Sequence, residues 1–191
     1  MPILHSSSPT QQHLLLQRRQ VGGPSGTSIR LEATDQLVSD LVLQKPGKLT
    51  DAEVALMRQH VAIGCHILEG GSSDLIRIAS LIAGAHHERW DGKGYPKGLT
   101  REQMSVQARV MGIADIFEAL TASDRPYKPG KTLSESLTIL GRMKLDHHVD
   151  PDLFDVFLRE KVYLEYAERF LPAEQIDDVD WTRIPGVSPE L

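Results

Sequence analysis

Residues 50–87 read TDAEVALMRQHVAIGCHILEGGSSDLIRIASLIAGAHH, and their pattern decides the fold. Thr50 and Glu53 stand three apart ahead of an apolar repeat, a spacing at which hydroxyl and carboxylate satisfy each other's backbone N–H groups. Val54, Met57, Val61, Gly64 and Leu68 then recur at helical spacing. Gly70-Gly71-Ser72-Ser73 breaks the run. A second helix is predicted from about Asp74 to His87, with Leu75, Ile78, Ala79, Ile82 and His86 on one stripe. Two helical repeats across a short polar break, with no period-2 alternation, point to an all-α protein.

The same punctuation continues outward. WDGKGYPKG at 90–98 is a polar, Gly-rich loop. Thr100 and Gln103 repeat the capping spacing and predict a helix to about Ala122, with Val106, Val110, Ile113, Phe117 and Leu120 as its stripe. DRPYKPG at 124–130 is a second loop, followed by a helix capped by Thr132 and Glu135 and carrying Leu133, Leu137 and Leu140. Asp150-Pro151 places an N-cap before a proline at the first helical position. Leu153, Val156 and Phe157 continue that helix, and residues 161–170 read as a further one. The Ser-, Gln-, Gly- and Pro-rich start is expected to be a flexible lead over 1–37, preceding a helical domain over 38–172 and an irregular tail over 173–191.

Composition bounds the function. With 191 residues, 40% of them hydrophobic, the chain supports one core and not two comfortable domains. A net charge of -5 argues against a basic face for long nucleic acid, but not against a small anion, since a metal ion supplies local positive charge. Cys65 has no second cysteine to pair with, no run approaches the ~18 apolar residues of a membrane helix, and no secretory signal opens the chain. A cytoplasmic location is expected.

Three positions stand out chemically: His60, the adjacent His86-His87, and Asp115. Each falls on a predicted helix, on or beside an apolar stripe. Imidazole and carboxylate together suit cations such as Mn, Fe or Zn, and a carboxylate can bridge two of them. Asp115 shares its face with Ala108, Met111, Gly112 and Ala119, small neighbours that leave room beside a carboxylate. Plainer accounts stand beside these. His60 also reads as a hydrogen-bonded boundary residue, His86-His87 as favourable positive charge at a helix C-terminus, and Asp115 as an ordinary helix charge. In the loops, Gly92, Gly94 and Gly98 allow close backbone approach, while Trp90 and Tyr95 offer flat faces for a base. Arg125 and Lys128 could clamp phosphate oxygens. Taken singly, each loop also reads as a plain turn. His66 reads as a helix-surface residue.

HHERWDGKGYPKGL at 86–99 and ADIFEALTASDRPYK at 114–128, with KPGKLTDAE at 45–53 and RQHVAIGCHIL at 58–68, closely resemble the HD-GYP family over about residues 38–160. The resemblance implies a helical bundle of the HD-domain type and hydrolysis of cyclic di-GMP at a bi- or trinuclear metal centre, with Fe or Mn as the expected divalent metal. By position it makes His60, His86, His87 and Asp115 metal ligands, with His86, His87 and Asp115 catalytic. Tyr95, Arg125 and Lys128 become substrate neighbours. Gly94-Tyr95-Pro96 matches the loop associated with ligand contact and with diguanylate cyclase partners. His147 and His148 resemble a segment read as helix entry and packing.

One departure is marked. Counting back without gaps from Lys45, the family's His-Asp dyad falls on Leu31-Glu32, and no histidine lies between His13 and His60. Similarity fades upstream, so the N-terminal helices of the family bundle are expected to be missing. Four ligands then remain for a two-metal cage, and the expectation is one weakly held metal, impaired hydrolysis, and self-association through exposed apolar surface. Two further readings stay open: a non-catalytic module that binds a cyclic dinucleotide or a protein partner, and a truncated gene whose longer form carries the dyad.

Overall fold

Six α-helices and three 3-10 turns form the fold in a computed structural model that describes residues 42, 45, 47–122 and 130–187. These residues all fall in one unit, Gln36–Leu191. Arg125, Lys128 and the lead over 1–37 lie outside the described residues. The helices are α1 (Asp51–Leu68), α2 (Asp74–Ala85), α3 (Val106–Thr121), α4 (Leu133–Leu145), α5 (Pro151–Arg159) and α6 (Val162–Phe170). Among the described residues there is no strand, only an isolated bridge between Asp91 and Thr100. None of their helices is long and apolar enough to cross a membrane.

Local chemistry sets most helix starts. The Thr50–Glu53 box opens α1, and Lys45 adds an ion pair to Glu53 at 2.6 Å. Thr132 and Glu135 open α4, and Asp150 caps α5 ahead of Pro151. The Thr100–Gln103 box is also present, but it opens only the 3-10 turn Arg101–Gln103. Met104 then turns extended and buried, and Ser105 caps α3 afresh by accepting from the Ala108 N–H at 3.2 Å. The single helix expected from Thr100 to Ala122 is therefore two elements. The second helix also stops short of the expected His87, with His86 as its C-cap.

The core sits in the later helices. Leu133, Leu137 and Leu140 of α4 meet Phe154 and Leu158 of α5, Tyr163 and Ala167 of α6, and Ile113 and Phe117 of α3. Fully burying such a side chain contributes about 1.5–3 kcal/mol. Ile184, beyond the last helix, is buried in the same cluster, and the Gln175 side chain donates to the carbonyls of Thr121 and Lys131. Two expected stripes are displaced. On α3, Val106 and Val110 are exposed and Ala108 is buried instead; on α5, Phe154 and Leu158 face the core while Val156 is exposed.

The early helices are thinly covered. In α1 only Val61 is buried and in α2 only Ala85, while Ile67, Leu75, Ile78 and Leu81 are exposed. Small residues hold the pair close: a Cβ on Gly64 would lie 3.7 Å from Ala83 Cβ, and one on Gly84 would lie 3.1 Å from Cys65 Sγ. That approach brings the middle of α1, with His60, against the end of α2, with His86.

Candidate metal centre

Helix α1 supplies His60, the end of α2 supplies His86 and His87, and α3 supplies Asp115. Gly112 lets α3 pass the chain at His86, where an added Cβ would lie 3.2 Å from the His86 carbonyl oxygen. The three imidazoles converge. His60 Nε2 lies 3.1 Å from His87 Nε2 and 3.3 Å from His86 Nε2, and one ligand nitrogen from each ring lies within 4.8 Å of the other two.

The other nitrogens decide what that convergence means. His60 Nδ1–H donates to the Met57 carbonyl at 2.7 Å, and His86 Nδ1–H donates to the Ala83 carbonyl at 3.0 Å. In the neutral rings these bonds leave Nε2 as a bare lone pair. His87 turns Nδ1 toward Asp115, whose Oδ2 lies 3.7 Å away. Lone pairs facing one another at this range repel unless a proton or a cation lies among them. Nitrogens bound to one cation at about 2.1 Å and adjacent in its shell lie about 3.0–3.4 Å apart, which matches the two spacings on His60. Carbonyls holding the outer nitrogens, as on His60 and His86, are a usual support of metal-bound imidazoles. The residues present therefore fit one divalent cation on three imidazole nitrogens.

Burial, then the His86 and His60 charges, pushes the His87 imidazole down to about 3. It is thus a neutral ring at ordinary pH. Asp115, expected as a fourth ligand, has its Oδ2 3.7 Å from His87 Nδ1 and is not one of the three residues whose ligand atoms lie within 4.8 Å of one another.

A cavity of about 500 Å3 opens beside the centre, lined among others by His86, His87, Gly94, Tyr95 and Asp115. The loop after His87 is folded back upon it. Tyr95 N–H donates to the His87 carbonyl at 3.2 Å, and the Tyr95 ring stacks on the His87 ring, centroids 4.8 Å apart. Gly94 permits this turn, since a Cβ there would come within 2.6 Å of Glu88 and Arg89 backbone atoms. Burial pushes the Tyr95 phenol up. Pro96, on a cis peptide after Tyr95, is exposed and is not among the residues that line the cavity.

The rings expected to receive a base meet protein groups as well. Trp90 lies under the Arg101 guanidinium, 4.4 Å from its centroid, and Tyr95 lies under that of Arg58 at 4.7 Å. His147 and His148 accept the Asp91 and Trp90 N–H groups through their carbonyls, and so anchor the loop through main chain. His66 is exposed and pairs with Glu69 at 3.0 Å.

Two residues here escaped sequence reasoning. Glu88 is buried and accepts from the Lys97 and Leu99 N–H groups at 2.7 and 2.8 Å, pinning the far side of the loop. The available signal was a charged residue directly after two histidines and before a Gly-rich loop. Arg58, two residues ahead of His60, was the other. Glu88→Gln leaves one of these N–H groups without an acceptor, and the expected loss is about 1–3 kcal/mol. Faster amide exchange at Lys97 and Leu99, with α4–α6 amides unchanged, is the check.

Residues 39–153, more than half of the chain, match the family described as HD domain. The cyclic di-GMP phosphodiesterase response regulator RpfG of Xanthomonas campestris pv. campestris is 42% identical over 132 residues, covering 67% of this chain and 33% of the regulator. A cyclic di-GMP phosphodiesterase of Thermotoga maritima is 37% identical over 134 residues, covering 65% and 36% respectively. The 3'3'-cGAMP-specific phosphodiesterase 2 of Vibrio cholerae is 39% identical over 121 residues, covering 63% and 23%. The chain thus spans about a third of the length of the first two relatives and less of the third. HD domain phosphodiesterases are metal-dependent. The helical architecture, the three-histidine centre and the Gly94-Tyr95-Pro96 loop together carry the identification: the chain belongs to the HD domain family, in its HD-GYP type.

Proposed function

We propose that this chain is a metal-dependent phosphodiesterase module for cyclic di-GMP or a closely related cyclic dinucleotide, with slow turnover. The observation that carries the reading is the convergence of the three Nε2 atoms with the Nδ1 atoms of His60 and His86 held by carbonyls. Imidazole donors beside a carboxylate suit Fe or Mn. When bound, such a cation polarises the scissile phosphodiester and acidifies a water molecule.

The chain's own residues do the rest. His60, His86 and His87 present imidazole nitrogens in fixed directions, with the Asp115 carboxylate 3.7 Å from His87 Nδ1. Tyr95 walls the cavity next to His87, and Glu88 holds the loop that carries Tyr95. Arg125 and Lys128, which follow the Asp115 helix in sequence, are assigned to the phosphates. The outer edge of the loop, at Pro96 and Lys97, is the surface assigned to a diguanylate cyclase partner. The one cysteine, Cys65, is free, and the reducing cytoplasm is the assigned compartment.

Slow turnover follows from the ligand set. A two-metal clamp on an in-line displacement needs a bridging group. Here Asp115 Oδ2 lies 3.7 Å from the outer nitrogen of His87, and an ungapped count back from Lys45 meets Leu31-Glu32 in the sequence where the family has its His-Asp pair. The same observation favours a second reading, a module that binds the dinucleotide without hydrolysing it. Anaerobic incubation of the Mn- or Fe-loaded chain with cyclic di-GMP, followed by chromatography, separates the two. Linear product that disappears in His86→Ala supports the enzyme. Bound dinucleotide without product supports the binding module, and neither binding nor product contradicts both.

A further inference from the structure

Four cationic side chains among the described residues line the cavity: Arg58, Arg89, Lys93 and Arg109. Three are committed to carboxylates. Arg89 grips Asp91 through two donors at 2.9 and 2.8 Å, Lys93 lies 3.4 Å from the same Asp91, and Arg109 pairs with the buried Asp150. Arg58 is different. Its guanidinium lies over the Tyr95 ring, and among the described residues no hydrogen bond or ion pair engages its N–H groups.

We propose that Arg58 is a substrate-binding residue whose guanidinium receives a non-bridging phosphate oxygen of the dinucleotide held at the histidine centre. The assignment rests on the phosphodiesterase reading above and adds a residue to that site. Contact with an aromatic face uses the flat side of a guanidinium and leaves its N–H edge available. That edge matches two oxygens of a phosphodiester better than an ammonium does. The ring also limits the rotamers of a long side chain, which lowers the entropy lost when an anion arrives. Position completes the case. Arg58 lines the same cavity as His86 and His87, and the Tyr95 ring beneath it stacks on His87. An anion that meets Arg58 in this cavity is therefore beside the centre that needs one.

The test uses the 191-residue chain loaded with Mn(II) and two probes. One is cyclic di-GMP, followed by equilibrium binding; the other is inorganic phosphate, followed by phosphorus-31 relaxation near the paramagnetic ion. Arg58→Gln is expected to weaken both by about tenfold, with Mn(II) affinity and thermal midpoint unchanged. Arg58→Lys keeps the charge without the fork and is expected to recover phosphate binding in part. Unchanged binding of both probes by Arg58→Gln overturns the proposal. Loss of Mn(II) affinity in both variants overturns it too, since Arg58 would then be only a brace for Tyr95 and His87. If the parent chain relaxes phosphate but binds no cyclic di-GMP, the phosphodiesterase reading fails, and the phosphate result with Arg58→Gln still decides whether Arg58 holds an anion.

Discussion

Replacing His60 with alanine is expected to lower Mn(II) or Fe(II) affinity by more than ~100-fold, beyond what loss of a supporting group around a metal typically causes. His60 is the member whose Nε2 lies 3.1 and 3.3 Å from the other two, so its loss leaves a two-nitrogen remnant with a gap at the centre. The fold should tolerate the change. His60 is half-buried in the middle of α1, outside the leucine-rich core, and alanine is the best helix former. Anaerobic equilibrium dialysis with elemental analysis reads the affinity, and circular dichroism reads the helix content. A variant that keeps its metal to within about threefold, well inside what even a supporting group is worth, would place the ion elsewhere.

Acidifying the metal-free chain should destabilise it through His87. The folded-state value is lowered to about 3 from 6.5, chiefly by burial, so the unfolded chain binds more protons between those values. Stability from this group is therefore fully present above about pH 6.5 and is lost progressively as pH falls toward 3. The ring is partly exposed and solvent screening discounts the full shift, so the loss by pH 4 is on the order of 1–2 kcal/mol. Urea unfolding at a series of pH values checks this, with His87→Gln as the control. The control should flatten the slope across that window, and a parallel slope would remove His87 as its source.

What the sequence disclosed depended on how local each cause is. The boxes at Thr50–Glu53 and Thr132–Glu135 each close within four residues, and both open the helices expected of them. The box at Thr100–Gln103 is equally local and equally real, but it could not foretell that Ser105 would cap a fresh helix two residues on. Faces were harder than spans. Val106 and Val110 fit a helical stripe as well as Ala108 does, and only the packing of α3 on its neighbours selects the Ala108 face. Residue reading singled out His60, His86-His87 and Asp115, and resemblance grouped them. The geometry gathers three nitrogens and leaves the Asp115 carboxylate 3.7 Å from the outer nitrogen of one of the rings. Glu88 and Arg58 stayed hidden because their partners are remote: Glu88 holds main chain nine and eleven residues ahead, and Arg58 reaches Tyr95 only after the loop folds back.

The central claim is that three imidazole nitrogens of this chain hold one divalent cation. Pulsed electron paramagnetic resonance of the Mn(II)-loaded chain measures it most directly, through the nuclear modulation of coordinated nitrogen. Three bound imidazoles, falling to two in His86→Ala, is the result the geometry predicts. Mn(II) with only oxygen and water in its shell would contradict it.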